Sequence, residues 1–300
     1  MPVTLIENFR AVFYSPFYAA IALGAYQAEG VEVRLETSRS PEHTLQGLVC
    51  GAGQVSWGGP MRLLHALDAD PQCGVAAFCE VVGRDPFFLV GREPDPGFRI
   101  RDLEGRLLAT ASEVPTPWYC LQHDLRLAGT DPARLRRAPP ATMEENIARL
   151  RAGEVDAIQV FEPYATQLLR EGAGYLWYAA ATRGPVSYTT LNATRAFLSR
   201  EPETALRMAR AIHRTQCWIA AHESRELAGA VAPYFPHLAP ETLVACIARY
   251  RRLGVWNRTP VVSRAGVEWL REAMLAAGAI RSRIAFEDVV ETRFAEQALR

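Results

Sequence analysis

The chain contains no lysine; all 33 of its basic residues are arginine. A lysine Schiff base to pyridoxal phosphate or to a carbonyl substrate is therefore excluded. A Walker-type phosphate loop loses its lysine too, and no such motif is present. Acidic and basic residues balance to a formal net charge of zero, so no electrostatic footprint for nucleic acid or an anionic membrane exists. Paired cysteine spacing is also missing. Cys50, Cys73, Cys79, Cys120, Cys217 and Cys246 fall irregularly with no CxxC, which signals neither a zinc site nor a disulfide framework. His213 and His222 share a helical stretch but not the i, i+4 spacing of a metal pair. Neither metal nor cofactor is expected. There is no GxSxG and no HExxH, and His123-Asp124 are helix neighbours that point to different faces.

Long apolar runs are lacking as well. No stretch approaches the roughly 18 residues of a membrane span. Residues 9–26 come nearest, but Arg10, Ser15 and Pro16 interrupt them, and the run enters Glu29-Gly30 without a small-residue cleavage site. The chain as given thus reads as carrying no secretion signal. Either a signal has been removed, or the protein works in the cytoplasm.

What is present suits two α/β lobes better than one core, given 300 residues. Strands are expected over residues 3–6, 31–35, 55–57, 74–82 and 87–90, with helices between them. Ser15-Pro16, Ser40-Pro41 and Pro60 mark helix starts, because proline suits the first helical turn and serine can cap. The first helix is expected to run from residue 15 to 29 and stop at Gly30. A second block repeats the alternation, with strands over 107–110, 157–160 and 186–191 and helices over 117–127, 143–151 and 163–170. Beyond Asn192 the pattern is almost wholly helical, over 203–222, 225–232, 240–253 and 263–277. Alternating strands and helices predict largely parallel sheets. Gly51-Ala52-Gly53 is no dinucleotide fingerprint, because it follows a helix and precedes a strand.

Ligands in open α/β sheets bind beyond the carboxyl ends of strands. The segments there are residues 8–15, Thr37 to Ser40, Trp57-Gly58-Gly59, residues 112–118, Phe161-Glu162-Pro163 and Tyr188-Thr189. Aromatics, hydroxyls and isolated charges suit a small, flat, partly polar ligand. Trp57 and Trp118 each follow a strand end and are the rings expected to stack on it. Phe9 and Phe161 serve equally well as core. Glu162 stands between an apolar strand and a helix-opening proline, where a carboxylate can cap the helix or accept from an amino or amidine group on a ligand. Both readings stay open at this stage.

These residues resemble a known family. Residues 13–33 (FYSPFYAAIALGAYQAEGVEV) are similar to its opening, a ligand loop followed by a helix ending in an E-G-V-x-V pattern. Asp102-Leu103-Glu104-Gly105-Arg106-Leu107-Leu108-Ala109 resembles the segment that leads into its second lobe, with Arg106 where lysine is usual. Residues 153–163 (GEVDAIQVFEP) resemble its G-x-V-D-A…E-P segment. With the helical tail, the match spans nearly the whole chain. The family is the sulfonate, taurine and thiamine-pyrimidine branch of ABC-importer solute-binding proteins.

The resemblance implies an α/β, two-lobed type II periplasmic binding-protein fold with a central ligand cleft and a helical C-terminal part. Lobe one would comprise residues 1–90 and 187–300, and lobe two residues 91–186, with crossovers near Val90 and Val186. It places ligand contacts at Phe13, Tyr14, Ser38, Trp57, Gly58, Ser112, Trp118 and Glu162, to which the strand-end reading adds Tyr188. It implies a periplasmic monomer that closes on one small organic solute, heteroaromatic or pyrimidine-like, and hands it to an ABC permease in the membrane. The branch also includes a pyrimidine-synthesis suicide enzyme, whose lysine and clustered cysteines are missing here. A lyase or decarboxylase on the same fold and a cytoplasmic ligand sensor are the rival readings.

Overall fold

Proline sets several of the helix starts. The computed structural model describes residues 2–300, apart from the side chains at positions 41 and 42. Helices α1 (Ser15–Ala22), α2 (Ala25–Ala28), α3 (Pro41–Val49) and α4 (Pro60–Ala69) are followed by α5 (Thr116–Leu127), α6 (Met143–Ala152) and α7 (Tyr164–Arg170). Pro16, Pro41, Pro60 and Pro117 all occupy the first turn, where their missing N–H costs nothing. The serines beside them do not cap. The Ser15 hydroxyl donates to the Val12 carbonyl at 2.7 Å, and Ser40 engages the ring of His43. The first helix is also shorter than the sequence suggests. Gly24 adopts φ 67° and splits it into α1 and α2, because a left-handed residue ends the i to i−4 ladder. Helix α6 shows full capping at both ends. Thr142 and Glu145 form a reciprocal box, and Gly153 closes the helix at φ 74°.

The strands are β1 (Val3–Glu7), β2 (Val33–Thr37), β3 (Val55–Gly58), β4 (Val75–Val82) and β5 (Phe88–Gly91), then β6 (Leu107–Ala109), β7 (Arg136–Arg137), β8 (Ala157–Val160), β9 (Tyr175–Ala179) and β10 (Thr189–Thr194). They form two five-stranded sheets, ordered β2-β1-β3-β10-β4 and β7-β6-β8-β5-β9. Each sheet is mixed rather than largely parallel. In the first, β1 runs parallel to β2 and β3, while β10 is antiparallel to β3 and β4. In the second, β6 is parallel to β7 and β8, while β5 is antiparallel to β8 and β9.

The chain divides into two units. The first holds Met1–Arg84, Pro185–Arg271 and Ile280–Arg300; the second holds Asp85–Gly184 and Glu272–Ala279. Strand β5, expected at the end of the first lobe, thus lies wholly in the second unit's sheet. The end of the helix Arg264–Ala276 also groups with that unit.

The first unit's core includes the fully buried Leu5, Val55, Phe78 and Leu191 from its sheet, and Met208 and Ile212 from the helix Pro202–Ala221. In the second unit Leu89, Leu108, Leu121, Leu125 and Ala157 form one cluster, and Trp118 packs on its margin. Trp177 belongs to that cluster and packs against Gly91, where any side-chain carbon would stand 1.8 Å from the indole.

Candidate functional site

The carboxyl ends of β1, β2 and β3 and the start of β10 lie at one edge of the first unit's sheet, as their parallel and antiparallel registers require. Glu7 closes β1 and is fully buried. It accepts from the Tyr18 hydroxyl at 2.6 Å, the Thr37 hydroxyl at 2.6 Å and the Arg10 guanidinium at 2.5 Å. Arg10 also lies over the Tyr18 and Tyr234 rings, about 5 Å from each centroid. Burial, reinforced by Glu7, pushes the Tyr18 phenol well above its ordinary pKa. The carboxylate is therefore occupied in pinning the loop that starts at Asn8. Asn8 in turn is buried, accepts from Thr44 at 2.9 Å and donates to the Tyr14 hydroxyl at 3.4 Å.

Around this anchor the structure gathers aromatic rings. Phe13 and Tyr14 stand 4.3 Å apart, Phe9 lies 5.4 Å from Tyr14, and Tyr188 meets Phe13 edge-on at 6.3 Å. Phe13, Tyr14, Gly58 and Tyr188 are all buried at this edge. The Gly58 carbonyl accepts from Asn192 and Thr190, each at 3.4 Å. Ser38 is half-buried, and its hydroxyl is spent on the Ser40 carbonyl at 2.7 Å.

Trp57 departs from expectation. It is fully buried, stacked on Phe17 at 4.7 Å and 10°, with Tyr18 edge-on at 5.4 Å. The stacking expected of a ligand is supplied by helix α1, and Trp57 serves as core beneath the edge. Its indole N–H finds no protein acceptor.

In the second unit the carboxyl ends of β6, β7 and β8 share an edge. Ser112 is exposed there, and its N–H pairs with the Ala141 carbonyl at 3.2 Å. Trp118 is half-buried in the first turn of α5, and the Arg137 guanidinium lies over its ring at 4.1 Å. That face of the indole is thus already stacked. Arg137 also donates to the Thr110 hydroxyl at 2.8 Å. Sequence reasoning passed over Arg137, because β7 is two residues long and gives no periodic signal.

At Glu162 the capping geometry is present. The carboxylate is fully buried and accepts from both the N–H and the hydroxyl of Thr166, each at 2.9 Å, within the first turn of α7. Glu162→Ala is accordingly expected to lower stability by about 1–2 kcal/mol. Glu162→Gln keeps an acceptor for the N–H and a donor for the hydroxyl, and is expected to stay within about 0.5 kcal/mol of the parent. Urea midpoints of the two variants measure this. A Gln variant as unstable as the Ala variant contradicts the capping role.

The architecture is a two-sheet α/β fold of the SsuA periplasmic binding-protein type. Residues 100–232 match the profile of the NMT1-like family. The chain is 24% identical over 297 residues to YtlA of Bacillus subtilis (strain 168), described as a binding protein, covering 98% of this chain and 89% of YtlA. The periplasmic aliphatic sulphonate binding protein SsuA of Escherichia coli superposes with a TM-score of 0.78 at 14% identity, over 97% of this chain and 92% of SsuA. An enzyme shares the fold too. The desulfurization enzyme DSZB superposes with a TM-score of 0.73 at 14% identity, over 99% of this chain and 99% of DSZB. Fold alone therefore does not separate binding from catalysis, and the chemistry of the strand-end segments must.

Proposed function

We propose that this chain is the solute-binding component of an ABC importer, and that it captures one small organic solute without transforming it. The observation that carries the reading is the make-up of the strand-end segments. Residues 8–15, 38–40, 58–59, 110–117, 161–163 and 188–189 contain no histidine, cysteine or lysine. Their serine hydroxyls at Ser15 and Ser38 donate to backbone carbonyls, and Ser40 meets the ring of the exposed His43 at 2.8 Å on the open start of α3. A buried nucleophile paired with a general base that a third group orients, the usual mark of covalent catalysis, is not among their described contacts. What those segments do offer is ring surface from Phe9, Phe13, Tyr14 and Tyr188 with amide and hydroxyl groups around it, the mixture that recognises a small organic molecule. Fold kinship with SsuA and sequence kinship with YtlA favour the same role. A membrane permease is then the partner and the periplasmic side of the membrane the place of work. Among the described residues no helix is long and apolar enough to cross a membrane, so the permease would supply the membrane passage.

Native mass spectrometry of freshly purified protein tests this directly. A single bound small molecule is expected, recovered chemically unchanged after prolonged incubation with the protein. Conversion of that molecule to a product would instead assign the chain to the enzymes of this fold.

A further inference from the structure

Strands β2, β4, β7 and β9 stand at the ends of the two sheets, and β4, β7 and β9 are guarded against further pairing. The outer edge of β4 is already occupied. Val82 bridges Trp256, Ala77 bridges Val290, and the Glu80 N–H donates to the Pro260 carbonyl at 2.7 Å. Strand β7 carries the exposed Arg136 and Arg137 side by side, and like charges repel when such an edge meets its own copy. Strand β9 pairs with β5 through a register shift, an irregularity that spoils an edge for a flat partner.

Strand β2 has none of these devices. Val33 to Thr37 run in unbroken parallel register with β1 and include neither proline nor glycine. The ladder is bounded by the Val3 N–H, which donates to the Glu32 carbonyl at 2.8 Å, and the Ser38 N–H, which donates to the Glu7 carbonyl at 2.9 Å. In a parallel ladder of this phase the backbone groups of Arg34 and Glu36 face β1. Those of Val33, Leu35 and Thr37 therefore point away from the sheet, and among the described residues no strand pairs with them.

The side chains of this edge complement themselves. Arg34 and Glu36 are exposed, pair with each other at 2.9 Å and flank Leu35. An antiparallel second copy centred on Leu35 sets Arg34 opposite Glu36 of that copy, and Glu36 opposite its Arg34. The backbone permits this register. The outward groups of Val33, Leu35 and Thr37 can exchange hydrogen bonds across the axis. The charged residues then fall at the non-hydrogen-bonded positions, where opposite side chains stand closest. Charges of one sign would keep the edge single; charges of both signs, placed symmetrically about Leu35, attract.

We infer that β2 is a docking edge for a second copy of this chain, joining the first unit's sheet in each copy across a two-fold axis. The family resemblance implies a monomer, so the inference goes beyond the solute-capture reading and does not depend on it. Strands of the second copy run the opposite way. The aromatic edges of Phe13, Tyr14 and Tyr188 in the two copies thus lie at opposite ends of the joined sheet. Pairing of so short a strand makes a small interface, so association should depend on concentration and weaken with salt.

Sedimentation velocity of the full chain at rising concentration tests it. The average mass of the parent should climb from one chain towards two, less steeply at high salt. Arg34→Glu alone and Glu36→Arg alone set like charges opposite one another and should each weaken association about tenfold or more, with circular dichroism confirming that both variants fold. An equimolar mixture of these two variants restores opposite charges at both positions and should associate about as well as the parent. So should the double variant carrying both changes. A parent that stays monomeric throughout, association that both single variants retain, or a mixture no tighter than its components overturns the inference.

Discussion

Arg183→Met is expected to cost the second unit about 3–5 kcal/mol of stability. Arg183 is 5% exposed and sits between two carboxylates, Asp85 at 0% and Asp124 at 9%. One guanidinium nitrogen donates to Asp85 at 2.5 Å, another pairs with Asp124, and Nε bridges both Asp124 oxygens at 3.0 Å. Asp85 also accepts from the Phe87 N–H at 3.0 Å, and Tyr178 donates to Asp124 at 3.3 Å. Removing the cation leaves two buried anions facing one another, which is far worse than removing the whole cluster. Burial already pushes the Asp85 carboxyl up against the pull of Arg183. Without Arg183 the buried Asp85 carboxyl takes up a proton more readily in the folded state than in the unfolded one. The deficit should thus be greatest at neutral pH and shrink as the pH falls toward the ordinary carboxylate range. Adding Asp85→Asn and Asp124→Asn to Arg183→Met should recover most of the loss, since no unpaired charge then remains. Urea unfolding of the single and triple variants at several pH values measures all three expectations. A single variant that unfolds like the parent at neutral pH would show that the triad carries no net stability.

The triad also has a topological role. Asp85 is the first residue of the second unit, and Arg183 is next to last in its main segment. The ion pair ties together the two ends of an inserted stretch of chain. The first unit has its own tie at the same crossovers, made of backbone. The Val186 N–H donates to the Gly83 carbonyl and the Tyr188 N–H to the Val82 carbonyl, both at 2.9 Å. These ties fix where the chain leaves one unit and enters the other.

Much of this architecture is legible in the sequence, and the failures have physical causes. Proline-opened helices and apolar strands identify themselves by local rules, so α3 to α6 and β1, β3, β4 and β8 fall close to where residue patterns put them. Strand direction is not a local property. The antiparallel β10 depends on where the returning chain docks, which no window of sequence encodes, and so the sheets read as more parallel than they are. Strand β9 went unread because it is an edge strand with Tyr175 and Leu176 exposed, which blurs its alternation. At the candidate site the aromatic edge of Phe13, Tyr14 and Tyr188 was legible as ring-bearing segments after strands. That Trp57 belongs beneath it was not, because burial beside Phe17 depends on how α1 packs. The Asp85–Arg183 pair spans 98 positions and is visible only in three dimensions.

Glu80→Gln is expected to stabilise the first unit by about 3 kcal/mol at pH 8 and to change little at pH 4. Glu80 lies on β4 and is fully buried. Burial pushes its carboxyl up to about 7, only partly opposed by hydrogen bonds from Asn257 and Ser263. The Asn257 amide donates to one carboxylate oxygen, and the Ser263 N–H reaches the same oxygen at 3.3 Å. No cation is among these partners. The adjacent Cys79 is also buried, and its thiol is pushed up by burial and then by Glu80 itself. The folded state therefore holds the Glu80 proton to about pH 7, whereas the unfolded chain releases it near the ordinary value of 4.5. Between those values the folded state binds more protons than the unfolded state. Stability then falls as the pH rises, and the loss is complete once the pH passes about 7. Glutamine carries no proton to lose. Its amide oxygen can accept from Asn257 and Ser263, and its N–H groups can donate to the buried Ser187 hydroxyl. The gain over the parent should therefore be near zero at pH 4, grow through pH 5 and 6, and level off above pH 7. Glu80→Ala strands the Asn257 and Ser263 donors and should destabilise at every pH by about 1–3 kcal/mol. Melting temperatures of the parent and both variants from pH 4 to pH 8 give the test. A pH-independent difference between Gln and Glu would mean that Glu80 stays ionised in the fold, stabilised by a charge or water that its neutral partners do not supply.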